Sequence, residues 1–132
     1  EVQLIIAETA VGTNPSEALA ALNSVRASNI SKYGGNFDAY TTADFAAGGI
    51  VSRGLSTSAA MTMEIMIEKF KSVIGGPTYH DVRRNNNLIG TRVKNVNTNV
   101  IPQRYLYPET ESSSNENFPG VVDQFVKVPI FN

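Results

Sequence analysis

The sequence predicts a mainly α fold: an αα-hairpin, then further helices, then an irregular or extended C-terminal tail. Three observations carry this. Apolar residues recur at the helical period over residues 19–25 and 63–74. Start and stop signals bracket these segments, with Asn14-Pro15 ahead of the first and Gly75-Gly76-Pro77 behind the second. Beyond Asn85 the helical period fades into Asn-rich, Val-punctuated sequence and then a Pro- and aromatic-containing run.

The first helix spans residues 1–11, with Val2, Leu4, Ile5, Ile6 and Ala7 apolar around most of its circumference, and stops at Gly12. Such a helix needs neighbours on several sides. It also has no Ser, Thr, Asp or Asn cap ahead of it, so the chain reads as a fragment with residues upstream. The next helix starts with Asn14 as N-cap, Pro15 in the first helical position and Glu17 reaching back as in a capping box. Leu19, Leu22 and Val25, with Ala18 and Ala21, form its apolar stripe. So short a turn makes an antiparallel hairpin over residues 1–28, which is similar to one tetratricopeptide unit, although no second copy is present.

Residues 29–57 form a loop-rich insert. Within it residues 41–47 predict a short helix with Phe45 inward, ended by Gly48-Gly49. Residues 58–84 return to helix. Met63, Met66, Ile67, Phe70 and Val73 or Ile74 mark the buried side of residues 58–74, and Glu64, Glu68, Lys69 and Lys71 the wet side. A further helical turn is expected over residues 78–84, with Tyr79 and Val82 on one face. Residues 85–132 form the tail, with turns and one hairpin expected up to Asn99 and a strand or extended end over residues 126–131.

Composition narrows the function. The 132 residues suit one domain, and 42% apolar content is enough for a core. A net charge of −1 provides no global basic field for nucleic acid. Absence of cysteine removes disulfides, thiol nucleophiles and cysteine zinc sites. The opening EVQL also begins antibody heavy domains, but without Cys or Trp that reading fails. No apolar run approaches the roughly 20 residues needed to span a bilayer.

The most specific stretch is residues 101–118, IPQRYLYPETESSSNENF. Pro102-x-Arg104-Tyr105-x-Tyr107-Pro108-x-x-Glu111, followed by Asn115-x-Asn117, resembles the closing signature of the SusD/RagB-type surface glycan-binding proteins. Glu1-x-x-Leu4-x-x-Ala7-Glu8 resembles that family's penultimate helix pair, with Thr9 in place of an Ala. Leu22-Asn23-Ser24-Val25-Arg26 resembles its Leu-Asn-x-Val-Arg string. Glu68-Lys69-Phe70, Gly75, Tyr79 and Asp81-Val82-Arg83-Arg84 resemble its Glu-Lys-aromatic helix, glycine turn and Arg-Arg segment. Gln103 stands where a second Arg is frequent, and the tail lacks the family's tryptophans. The signature residues are thus Arg83, Arg84, Arg104, Tyr107, Pro108 and Glu111.

The resemblance implies that residues 1–132 are the C-terminal portion of an outer-membrane lipoprotein, lipid-anchored at the cell surface through an N-terminal Cys not present in this chain. It implies no enzyme activity and no cofactor. Its partners would be an oligosaccharide (in some members a peptide), a TonB-dependent transporter, and the N-terminal part of the same protein. The rival reading is a helical-repeat module that binds a protein. A hydrolase is a second rival.

Among candidate sites, Tyr33, Phe37 and Tyr40 in the insert are the aromatics to watch for glycan contact, with Asn36 and Asp38 able to hydrogen-bond hydroxyls. The aromatics of residues 104–108 have two readings, a sugar-stacking platform or packing onto helices with Arg104 paired to a carboxylate or helix-end carbonyls. The second is favoured, since alternate positions of an extended segment face a core. Glu109 and Glu111 in an extended segment point the same way, which does not suit a glycosidase with carboxylates flanking the bond. Glu111 is expected to accept backbone N–H bonds in the turn behind it. His80-Asp81 reads as an exposed His with Asp81 available to Arg84, not as part of a triad. One His and no Cys make a transition-metal site unexpected. Asn85-Asn86-Asn87 and Asn95, Asn97 and Asn99 read as turn formers, not as a Ca²⁺ shell. Met61, Met63 and Met66 read as core fillers.

Overall fold

A computed structural model of the chain describes residues 1–73, 76, 78–92 and 100–126. It is mainly helical, as predicted, with no strand among the described residues: α1 (Val2–Ala10), α2 (Pro15–Tyr33), α3 (Thr42–Phe45), α4 (Thr57–Ser72), α5 (Thr78–Arg84) and α6 (Glu109–Ser114). The chain divides into two units, Glu1–Thr78 and Tyr79–Asn132.

In the first unit α1 and α2 form the hairpin and pack together most extensively, and α4 lies against α1, α2 and α3. Its core holds Leu4, Ala7, Ala18, Leu22, Phe45, Ala60 and Ile65, all fully buried. Asn14 caps α2, its Oδ1 accepting from the Glu17 N–H at 3.3 Å. Glu17 returns the contact to the Asn14 side chain, accepting from Nδ2 at 3.1 Å, and not to the backbone N–H as a full capping box would. α2 also outruns the predicted end at residue 28. It continues to Tyr33 and stops where Gly34, at φ 72°, donates to the Ile30 carbonyl.

The short helix of the insert forms as expected. The Thr41 backbone N–H and hydroxyl both donate to Asp44 Oδ2, at 2.7 and 2.8 Å, and these bonds hold the Asp44 carboxyl below the usual carboxylate range. A side chain at Gly49 would collide with the Ala43 and Asp44 carbonyl oxygens, so this turn requires glycine.

α4 departs from prediction. Met66 is buried, but Met63, Ile67 and Phe70 are half-buried, and three of the four supposed wet positions are inside, while Lys71 is exposed as expected. Glu64, Glu68 and Lys69 are 4%, 3% and 5% exposed. Their partners come from other elements: Arg26 on α2, Tyr40 and Arg53 in the insert, and Glu8 on α1. Charges enter a core only when compensated in this way. Met61 joins the core as read, at 1% exposure.

In the second unit Val82 is buried on α5, and two α5 side chains hold the tail. The Tyr79 hydroxyl donates to the Pro102 carbonyl, and Arg83 NH1 donates to the Gln103 carbonyl at 2.6 Å. The Gln103 and Arg104 N–H groups both donate to the Gln124 carbonyl, at 2.6 and 3.3 Å. Residues 109–114 are helical, which corrects the extended reading: Glu109 and Glu111, two apart on a helix, lie on different sides. The expected hairpin up to Asn99 falls mostly on residues 93–99, which lie outside the described residues, as do Asn95, Asn97 and Asn99. So does most of the expected terminal strand, residues 127–132. Asn86 and Asn87 take left-handed turn conformations, at φ 50° and 55°. No described helix is long and apolar enough to cross a membrane.

Candidate functional site

The site is built outward from Arg26. Ala18, Leu22 and Arg26 follow one another at four-residue spacing on α2, so Arg26 continues the buried stripe. There its guanidinium fork divides. NH1 lies 3.4 Å from Glu68 Oε1, which also takes Lys71 Nζ at 3.2 Å. Nε and NH2 both donate to the Asp38 carbonyl, at 3.1 and 2.8 Å. Its plane lies over the Tyr40 ring at 3.9 Å and nearer the edge of reach over Phe37 at 5.8 Å. Three residues earlier on α2, Asn23 grips the same loop: its Nδ2 donates to the Tyr40 carbonyl and its Oδ1 accepts from the Tyr40 N–H, both at 2.8 Å. Two side chains one helical turn apart thus fix residues 37–40 against the helix.

Tyr40 ends the network. Its hydroxyl donates to Glu64 Oε1 at 2.9 Å, and its ring meets Phe45 edge-on at 5.4 Å. Burial, then the hydrogen bond and negative charge of Glu64, push its pKa up to about 12. Arg53, in a left-handed conformation at φ 47°, brings NH2 within 3.0 Å of Glu64 Oε2. That approach compensates charge without hydrogen-bond geometry, so buried Oε2 has no directed donor.

The raised Tyr40 pKa has a stability consequence. The unfolded chain releases this proton near pH 10 and the folded chain near 12, so the native state holds more protons between them and stability falls as pH rises through that window. Alkaline urea titrations of the protein are expected to show this slope, and Tyr40→Phe to flatten it. An equal slope in both proteins would contradict the raised Tyr40 pKa, which burial causes first and Glu64 second.

Beside this network a cleft of about 650 Å³ opens between the end of α2, the loop behind it and the C-terminal turn of α4. Arg26, Lys32, Tyr33, Phe37, Glu68 and Lys71 line it. Ser24, Ser28 and Asn29 add small polar groups. Of the five predicted ligand residues, Tyr33 and Phe37 come together here. Tyr33 ends α2 and does not lie in the loop, and it is 72% exposed. Tyr40 is spent on Glu64. Asp38 serves through its backbone carbonyl, while its side chain and Asn36 are exposed and do not line the cleft. The sequence places Asn23 and Arg26 in one motif and Lys71 on the wet side of α4 without giving any of them a role in a site, and it does not mark Lys32. The four-residue spacing that leads to Arg26 was the available signal.

In the second unit the signature residues are structural in part. Arg84 pairs with Asp81 at 3.0 Å, as expected, and His80 is exposed. Arg104 Nε donates to the Val126 carbonyl at 3.2 Å, a loop carbonyl and not a helix end. Pro108 precedes α6 as its N-cap residue. The Glu111 carboxylate accepts from the Asn115 side chain at 2.6 Å and its carbonyl accepts the Asn115 N–H at 3.1 Å, while the Asn115 Oδ1 accepts the Asn117 N–H at 2.9 Å. The tyrosines depart from the expected packing: Tyr105 and Tyr107 are exposed, with Tyr105 6.0 Å from the Tyr79 ring and Tyr107 5.5 Å from the Phe118 ring. The buried positions of this segment are Ile101 and Gln103 instead. Among the described residues no group of acidic or His side chains is arranged to hold a metal. Compared with protein-family models, curated proteins and solved structures, the chain gives no match.

Proposed function

We propose that the chain binds oligosaccharides without breaking them, in the manner of the SusD/RagB-type proteins it resembles, and delivers them to a TonB-dependent transporter at the outer membrane. One observation carries this reading: the Tyr33 and Phe37 rings line a cleft that also offers hydroxyl, amide and ammonium groups. Aromatic faces suit the C–H-rich face of a pyranose, and the polar groups suit its hydroxyls. Turnover is disfavoured by the carboxylates. Glu68 is committed to Arg26 and Lys71, which leaves Glu1 as the other acid lining the cleft. Hydrolysis needs two carboxylates across a sugar bond.

Titration calorimetry against an oligosaccharide panel, with product analysis of the same mixtures, tests the reading. Binding without product is expected. Tyr33→Ala and Phe37→Ala should each weaken it by about 1–2 kcal/mol, roughly 5–30-fold. Sugar products would return the hydrolase. The neighbouring reading frame is expected to encode a large outer-membrane barrel, and a neighbourhood without one would count against delivery. The alternative, a helical-repeat module for a protein partner, draws on Val2 and Ile5, which are exposed on α1. It is favoured if no sugar binds and Val2→Asp or Ile5→Asp abolishes capture of a defined protein.

A further inference from the structure

The cleft is basic on a chain whose net charge is −1. Arg26, Lys32 and Lys71 line it against two carboxylates, Glu1 and Glu68. Glu68 lies between Arg26 and Lys71, at 3.4 and 3.2 Å, and its side chain is 4% exposed. It therefore presents no open anionic surface to a ligand. The Lys71 side chain is 57% exposed, so its ammonium serves Glu68 and solvent together. Lys32 has no carboxylate partner among the described residues. Its Nζ stands 5.1 Å from the centre of the Tyr33 ring, the same ring that is most exposed at the cleft.

The geometry points to acidic oligosaccharides, those carrying uronic acid carboxylates, as the ligand class of this cleft, with Lys32 as the residue that selects for charge. This rests on the glycan-binding reading above and narrows it. A uronic acid carries its carboxylate one bond outside the pyranose ring. A sugar stacked on Tyr33 brings that group within reach of the Lys32 ammonium, which stands over the same ring, 5.1 Å from its centre. Lys71 extends the positive field along the cleft, and Arg26 supports it from behind. A neutral sugar gains the stacking and the hydroxyl hydrogen bonds. An acidic one adds a partly exposed charge pair, which is modest in energy and screened by salt.

Matched sugar pairs separate charge from shape. The probes are tetragalacturonate with its methyl ester, and tetramannuronate with mannotetraose, titrated into the chain at low and high salt. The acidic member of at least one pair is expected to bind about 3–10-fold more tightly at low salt, with the preference shrinking at high salt. Lys32→Gln should remove most of that preference, weakening the acidic member several-fold more than the neutral one. Circular dichroism checks that the variant is folded, which its exposed position favours. If neutral members bind as well as acidic ones, acid selectivity is wrong and glycan capture stands. If the acidic preference survives both Lys32→Gln and Lys71→Gln, the charge is read elsewhere and the inference fails. If no member of either pair binds, both fail.

Discussion

Arg26→Ala is expected to lower the stability of the first unit by about 3–5 kcal/mol, since removing one partner of a buried ion pair strands the other charge. Glu68 would keep only Lys71, at 3.2 Å and largely in solvent. The Asp38 carbonyl would lose both of its guanidinium donors, and the Tyr40 ring the cation above it. Arg26→Lys should recover only part of the loss, because one ammonium cannot reproduce a planar fork that serves a carboxylate and a carbonyl together. Replacing both partners, Arg26→Met with Glu68→Met, should be milder than Arg26→Ala alone, since no buried charge is then stranded. Urea denaturation with an unchanged slope would measure all three. A loss below about 1 kcal/mol for Arg26→Ala would mean that the network behaves as a surface ion pair.

Phe45→Ala should cost about 3–5 kcal/mol. Phe45 is fully buried, and its ring meets the Tyr40 ring edge-on at 5.4 Å. α3 has only four residues and cannot hold itself as an isolated helix. Its anchorage is therefore this side chain together with the Val51 N–H to Asp44 carbonyl bond at 3.0 Å. Hydrogen exchange at Val51 should speed up in the variant beyond what global destabilisation explains. Protection that falls only in step with global stability would show that α3 is not held by Phe45 in particular.

The sequence was legible where structure is local. The Asn14-Pro15 start of α2, the Thr41–Asp44 start of α3 and the inward Phe45 all depend on neighbours within a few residues. Charged positions on α4 were misread because they look wet by residue type, and what buries them lies far along the chain. Glu68 meets Arg26 across 42 positions, Glu64 meets Tyr40 across 24, and Lys69 meets Glu8 across 61. No periodicity in α4 reveals those partners. α6 was missed because ETESSS contains no apolar residue, so no stripe marks it. Its start signals, Pro108 followed by Glu109 and Glu111 in the first turn, were present. For the site, the loop aromatics were found and the cleft was not. Tyr33 and Phe37 are near in sequence, but Lys71 and Glu68 reach them only through the packing of α4 on α2.

The most direct measurement is a two-dimensional amide NMR titration of the chain with tetragalacturonate and with mannotetraose. Sugar held on the Tyr33 and Phe37 rings should shift the amide signals of residues 28–38 and of Lys71 and Ser72, while those of α3 stay in place. Shifts confined to other residues, or an unchanged spectrum at millimolar sugar, would contradict a glycan site in this cleft.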